Sequence, residues 1–157
     1  MRGRILHPST LVTGKRISHY RILEKLGSGG MGVVYKAEDT RLGRTVALKF
    51  LPDEFSNDKA ALERFQREAR GASALNHHKI CALHDIGQAD ERPFLTMECL
   101  EGQTHRQRAA DRTLKLDEIL DLRIKIATAL ASAHQNGLVH SHITPPNICE
   151  THSQQAQ

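Results

Sequence analysis

The sequence predicts an α+β fold: a five-stranded antiparallel sheet with one helix, followed by an incomplete helical part. Three observations carry this expectation. Glycines in the pattern G-x-G-x-x-G (Gly27, Gly29, Gly32) lie between two strand-like runs, Tyr20 to Leu26 and Val33 to Ala37. An apolar run from Val46 to Leu51 holds a single lysine, Lys49. A long segment, Asp117 to Asn136, carries two adjacent apolar stripes at helical spacing.

Residues 1–13 read as a flexible lead-in, with Pro8-Ser9-Thr10 as a break. Tyr20 to Leu26 and Val33 to Glu38 form the first predicted hairpin. Its glycines have no Cβ, so the turn bends sharply and lets backbone N–H groups approach an anion. Dinucleotide-binding folds use the same spacing, but there the glycines open a helix. Here Val33-Val34-Tyr35 reads as a strand, and the loop becomes a hairpin lid over phosphates. Asp39 to Arg44 is a turn and Thr45 to Leu51 the third strand, in which the Lys49 ammonium needs a partner.

Pro52 to Asn57 connects to a helix that Asn57 or Asp58 caps, beginning near Lys59. Leu62, Phe65, Ala69 and Ala72 form its buried stripe, and Glu68 borders it. Glu68 has two candidate partners: Lys49, or an arginine of its own helix, Arg64 or Arg67. Asn76 to Lys79 ends the helix, Ile80 to Ile86 reads as the fourth strand and Phe94 to Leu100 as the fifth. Glu101-Gly102 breaks the chain. The segment from Asp117 to Asn136 has acidic residues in its first turn and Gly137 as its stop. One stripe is Leu120, Ile124, Ala127 and Ala131; the other is Ile119, Leu122, Ile126, Leu130 and Ala133. Little follows that would cover such a helix.

At 157 residues the chain is one modest domain in size. The net charge of +4 is mild and interleaved with acids, which describes a solvated surface and argues against nucleic-acid binding. Three cysteines without framework spacing point to reduced thiols and a cytoplasmic location. The basic N-terminus lacks an apolar signal core, and no run reaches membrane-spanning length.

After the long helix comes Leu138-Val139-His140-Ser141-His142-Ile143-Thr144-Pro145-Pro146-Asn147-Ile148. His140 and Asn147 stand at the spacing of H-R-D-x-x-x-x-N. Glycine hairpin, strand lysine, helix glutamate and this loop follow one another in an order that resembles bacterial serine/threonine protein kinases, from about Gly14 to Asn147. The resemblance implies a kinase-like small lobe over residues 14–100 and a partial large lobe over 101–157 that ends just after the catalytic loop. It implies ATP and Mg2+ as cofactors and a protein hydroxyl as acceptor. It implies that Leu26, Gly27, Ser28, Gly29, Gly30, Met31, Gly32 and Val34 cover the nucleotide, with Ala47 and Lys49 beneath. Met97 would be the gatekeeper, although core packing explains a methionine equally well. Glu98 and Leu100 would be the hinge, Lys49 and Glu68 an ion pair, and Asn147 a magnesium ligand.

The same loop departs from the family at three positions. Ser141 replaces the arginine, His142 the catalytic aspartate and Thr144 the lysine. Histidine is a base near neutral pH but places its nitrogens elsewhere, and misplacement costs rate. No D-F-G follows in residues 148–157, and the Gln-rich end reads as a disordered or frameshift-like tail. His140, His142, Cys149 and His152 offer zinc donors without a C-x-x-C pair, and His140 is expected as a packed core residue instead. These readings predict an ATP-binding kinase relative with impaired or absent phosphoryl transfer and no defined protein substrate. The alternatives are a non-catalytic, pseudokinase-like interaction module that self-associates through its exposed large-lobe helix, or a gene fragment without function.

Overall fold

The structure, a computed structural model, describes residues 13–30, 32–52, 58–111, 113–140 and 143–151. It divides into two compact units, Met1–Ala74 with Ala82–Cys99, and Leu75–Cys81 with Leu100–Gln157.

The first unit holds a six-stranded antiparallel sheet. Its order is β1 (Arg16–Ile17), β2 (Tyr20–Gly29), β3 (Gly32–Asp39), β4 (Arg44–Phe50), β6 (Arg92–Glu98) and β5 (Leu83–Ala89). The strand beyond the expected five is β1, whose two residues are too few to show alternation. β5 and β6 lie nearer their shared turn than expected: Ile80 to Ala82 falls outside β5, and β6 begins at Arg92. The reason is a tight turn at Asp90 (φ 49°) and Glu91 (φ 64°), which lets Ala89 pair with Arg92.

Alternation divides the sheet into two faces. Tyr35 and Ala37 of β3, Val46, Leu48 and Phe50 of β4, and Phe94 and Thr96 of β6 are buried on one of them. Ile17, Tyr20 and Ile22 join that cluster. Phe94 meets Phe50 at 5.3 Å between ring centroids and Tyr20 edge-on at 6.0 Å. Each such ring contributes about 1.5–3 kcal/mol by burial. The opposite face carries Val34, Ala47, Lys49, Leu95 and Met97.

The turn after β3 is held by Asp39, which is buried. Its Oδ1 accepts the N–H groups of Arg41 (3.0 Å) and Leu42 (3.1 Å). His19 and Arg44 each approach the carboxylate at 3.8 Å.

Helix α1 (Lys59–Ser73) starts as expected, with Asp58 Oδ1 accepting the Ala61 N–H at 3.0 Å. It packs on β5 with Ala69 buried and Leu62 and Phe65 half-buried. Ala72, expected in that stripe, is exposed, and the helix stops at Ser73, short of Asn76. The Ala74 N–H bonds to the Gly71 carbonyl at 3.3 Å and tightens the last turn.

The second unit contains β7 (Gly102–Thr104), α2 (His105–Asp111), α3 (Leu116–Gln135), a 3-10 turn (Pro145–Asn147) and β8 (Cys149–Thr151). α3 matches its expected span, and Gly137 (φ 73°) ends it. The Glu118 carboxylate accepts the Lys115 N–H at 2.9 Å and receives Arg108 at 3.0 Å. Arg108 also pairs with Glu150, which meets His105 at 3.2 Å. β7, α2 and β8 were not expected. Gly102, read as a break, pairs with Thr151, because a Cβ there would lie 2.1 Å from the Glu150 carbonyl oxygen. The stripe Leu120, Ile124, Ala127 and Ala131 is exposed, consistent with a sequence in which little follows to cover it.

Candidate functional site

The glycine hairpin is the meeting of β2 and β3. Gly29 pairs with Gly32, Ser28 with Val33 and Gly27 with Val34, while Leu26 falls at a register shift and is 47% exposed. Gly30 lies in the connecting turn; Met31 lies outside the described residues. The glycines are not equivalent. Gly32 has φ 103°, and a Cβ on it would meet the Phe50 carbonyl oxygen at 1.9 Å. At Gly27, Gly29 and Gly30 a Cβ would meet nothing within 4 Å. The fold itself requires Gly32. It leaves open space at the other three, and open space beside backbone N–H groups suits phosphate oxygens.

A single cross-strand row joins the hairpin to the lysine. Gly27 pairs with Val34, Val34 with Lys49, and Lys49 with Leu95. The adjacent row joins Ala47 to Met97. Since side chains in a row and at every second residue share a face, Val34, Ala47, Lys49 and Met97 lie on one face of the sheet. Leu95, half-buried, belongs with them and was missed; its signal was the alternation with Phe94 and Thr96. Glu98 ends β6, with its N–H donated to the Ala82 carbonyl at 2.9 Å. Leu100 follows in the second unit.

Lys49 is half-buried, and burial lowers its pKa from the ordinary lysine value. Among the described residues it forms no ion pair. The expected pair with Glu68 is absent from this conformation: Glu68 is exposed beside the buried Ala69, one residue further round the helix. No pair of Glu68 with Arg64 or Arg67 forms among the described residues either. Among the described residues, then, no carboxylate compensates the ammonium on the sheet face. A shallow trough between α1 and β5, lined by Gln66, Arg70, Leu83, His84 and Asp85 among others, shares none of these residues.

In the second unit, Asn147 closes the 3-10 turn and is exposed, its N–H donated to the Thr144 carbonyl at 2.9 Å. His142 and Ser141 lie outside the described residues. His140, expected in a packed core, is exposed, as is the neighbouring Val139. Among the described residues no cluster of three or more His, Cys, Asp or Glu side chains is arranged to hold a metal. No described helix is long and apolar enough to cross a membrane.

Comparison with known proteins bears on the family and the fold. The protein kinase domain family matches residues 20–156. Serine/threonine-protein kinase PrkC of Bacillus subtilis is 42% identical over 144 residues, which are 90% of this chain and 22% of PrkC. PknA of Mycobacterium tuberculosis is 40% identical over 139 residues, 84% of this chain and 32% of PknA. The crystal structure of the Mycobacterium tuberculosis PknI kinase domain, as a double mutant, superposes with a TM-score of 0.86 at 33% identity. That match covers 92% of this chain and 60% of the PknI chain. The chain thus spans well under half the length of the curated relatives named here. By sequence and by fold, it belongs to the protein kinase domain family, among bacterial serine/threonine kinases.

Proposed function

We propose that this chain binds ATP on the sheet face that carries Lys49, and that it transfers phosphoryl groups slowly or not at all. The observation that supports binding is the row Gly27–Val34–Lys49. It aligns the open part of the glycine hairpin with a half-buried cation that has no ion-pair partner among the described residues. A triphosphate supplies the negative charge that Lys49 lacks. The N–H groups of the hairpin around Gly27, Gly29 and Gly30 donate to phosphate oxygens that enter the open space beside them. Ala47 leaves room for a flat ring, Leu26 and Val34 cover it, and Met97 and Glu98 border it.

ATP supplies the transferable phosphoryl group when bound. Transfer further requires positioning and charge neutralisation around that group. Asn147 is the residue here that fits a Mg2+ ligand. His142 stands where the family has its aspartate, so an imidazole must accept the hydroxyl proton from a displaced position. Thr144 leaves the developing charge without a cation. The acceptor is a protein hydroxyl, as in the family.

Thermal unfolding of the chain with ATP–Mg2+ tests the binding. Ligand at 100 times its Kd stabilises by about 2.7 kcal/mol, a rise of several degrees in Tm. No rise with the wild-type chain would end the nucleotide reading. Phosphate transfer to a generic protein substrate tests the second half; robust turnover, abolished by Lys49→Ala, would refute it.

A further inference from the structure

We propose that His105, Arg108, Glu118 and Glu150 form an electrostatic latch, whose opening frees β8 and the Pro145–Asn147 turn from α2 as one piece while the first unit stays folded. The four side chains make one unbroken line. His105 Nδ1 meets Glu150 Oε1 at 3.2 Å, and the other oxygen of Glu150 pairs with Arg108. A second nitrogen of Arg108 donates to Glu118 Oε1 at 3.0 Å, while Glu118 Oε2 accepts the Lys115 N–H at 2.9 Å. Arg108 is the hub, because a guanidinium presents its donors as a rigid fork and serves two carboxylates at once. The line ties β8 to α2 and α2 to the first turn of α3. Its side chains are 19% to 28% exposed, so water and salt screen these pairs less than they screen pairs on an open surface.

Little else holds β8. The ladder with β7 has three pairs, Gly102 with Thr151, Gln103 with Glu150 and Thr104 with Cys149. A two-stranded ladder of that length is marginal in water. No residue of β7, α2, the 3-10 turn or β8 is buried among the described residues, so apolar packing adds little there. Glu150 belongs to both devices, as the middle residue of the ladder and the centre of the charged line. The turn is fastened to the same place: the His105 N–H donates to the carbonyl of Ile148, between the turn and β8, at 2.8 Å. Loss of the Glu150 charge therefore loosens the ladder and the turn that ends in Asn147 together. The first unit, built on its own aromatic and aliphatic cluster, has no share in this line. The inference concerns how the second unit opens and does not rest on nucleotide binding.

The test is native-state amide exchange of the full 157-residue chain, read residue by residue. Glu150→Gln keeps the shape and removes the charge. It is expected to speed exchange at His105 and across the β7–β8 ladder by roughly tenfold or more, with β3 and β4 unchanged. Arg108→Gln does the same, and the double variant exchanges no faster than either single one, because both cut the same line. Arg108→Lys keeps the charge without the fork and falls between. Raising NaCl from about 0.05 M to about 1 M speeds the ladder in the wild type and not in Glu150→Gln. Asp121→Asn, which breaks an exposed pair with Lys125 at 2.7 Å, changes nothing. Four results overturn the proposal: a ladder indifferent to Glu150→Gln, a wild-type ladder unmoved by salt, a double variant whose effect is the product of the single ones, or amides of both units that speed up together. The last would make the four side chains a general support of the fold and not a latch.

Discussion

Gly32 stands directly against Phe50: a Cβ at Gly32 would lie 1.9 Å from the Phe50 carbonyl oxygen, and its φ of 103° is one that side chains rarely adopt. The glycine hairpin therefore serves two ends, and single substitutions separate them. Gly32→Ala is expected to destabilise the first unit by about 1–3 kcal/mol, from backbone strain and the displaced strand β4. Gly27→Ala and Gly29→Ala meet open space and are expected to change stability by less than about 1 kcal/mol. Their effect falls on ATP–Mg2+, whose Tm rise they diminish. Thermal melts of the three variants, with and without nucleotide, read both quantities. Equal destabilisation by all three would contradict the division.

Lys49 supplies the second prediction. Burial holds its pKa below the ordinary lysine value of 10.5, so the folded chain releases this proton at lower pH than the unfolded chain does. Between the folded value and 10.5 the unfolded state binds more protons, and stability rises with pH across that window. Lys49→Met removes both the desolvation cost and the pH slope. Its Tm at pH 7 is expected to equal or exceed that of the wild type, while the nucleotide-induced rise disappears. A variant that melts markedly lower would show that the ammonium has a stabilising partner after all.

The division of the sheet was legible in the sequence because alternation is a local signal. Val46, Leu48 and Phe50 bracket Ala47 and Lys49, so the lysine had to share a face with the alanine. The direction of Glu68 was not legible. A residue on the border of a helical stripe turns inward or outward with a small rotation of the whole helix, which spacing does not determine. The β7–β8 pair was hidden for a different reason. Gly102 and Thr151 lie far apart in the chain, each strand has three residues, and no periodicity develops over that length. The candidate residues of the first unit were singled out by the order of motifs, since Leu26, Gly27 and Lys49 each have a plain structural reading when taken alone.

Asp39 gives a prediction about acid stability. Burial raises its pKa, but the N–H groups of Leu42 and Arg41 and the charges of His19 and Arg44 outweigh that and leave it below the usual 3.8. A depressed carboxylate contributes stability that is present above its unfolded pKa and lost as pH falls through the folded value. Asp39→Asn keeps an acceptor for the turn but loses the charge. The variant is expected to melt several degrees lower than the wild type at pH 6, and the gap should close as pH is taken below 3.8. A gap independent of pH would assign the loss to the hydrogen bonds alone.

The catalytic loop allows a restoration experiment. Ser141→Arg, His142→Asp and Thr144→Lys together return the family residues to the stretch between His140 and Asn147. If the substituted loop were the sole obstacle, the triple variant would regain phosphoryl transfer. The charge requirements of the reaction say otherwise. The metal that neutralises the phosphates is held in this family by the aspartate of D-F-G together with the loop asparagine, and residues 148–157 contain no such aspartate. Asn147 alone offers one neutral oxygen to a cation that prefers carboxylates and phosphate around it. The triple variant is therefore expected to bind ATP–Mg2+ as the parent does and to remain without measurable turnover in a radiolabelled phosphate transfer assay. Turnover by the triple variant on its own would place the deficit in the loop and not in the missing metal ligand.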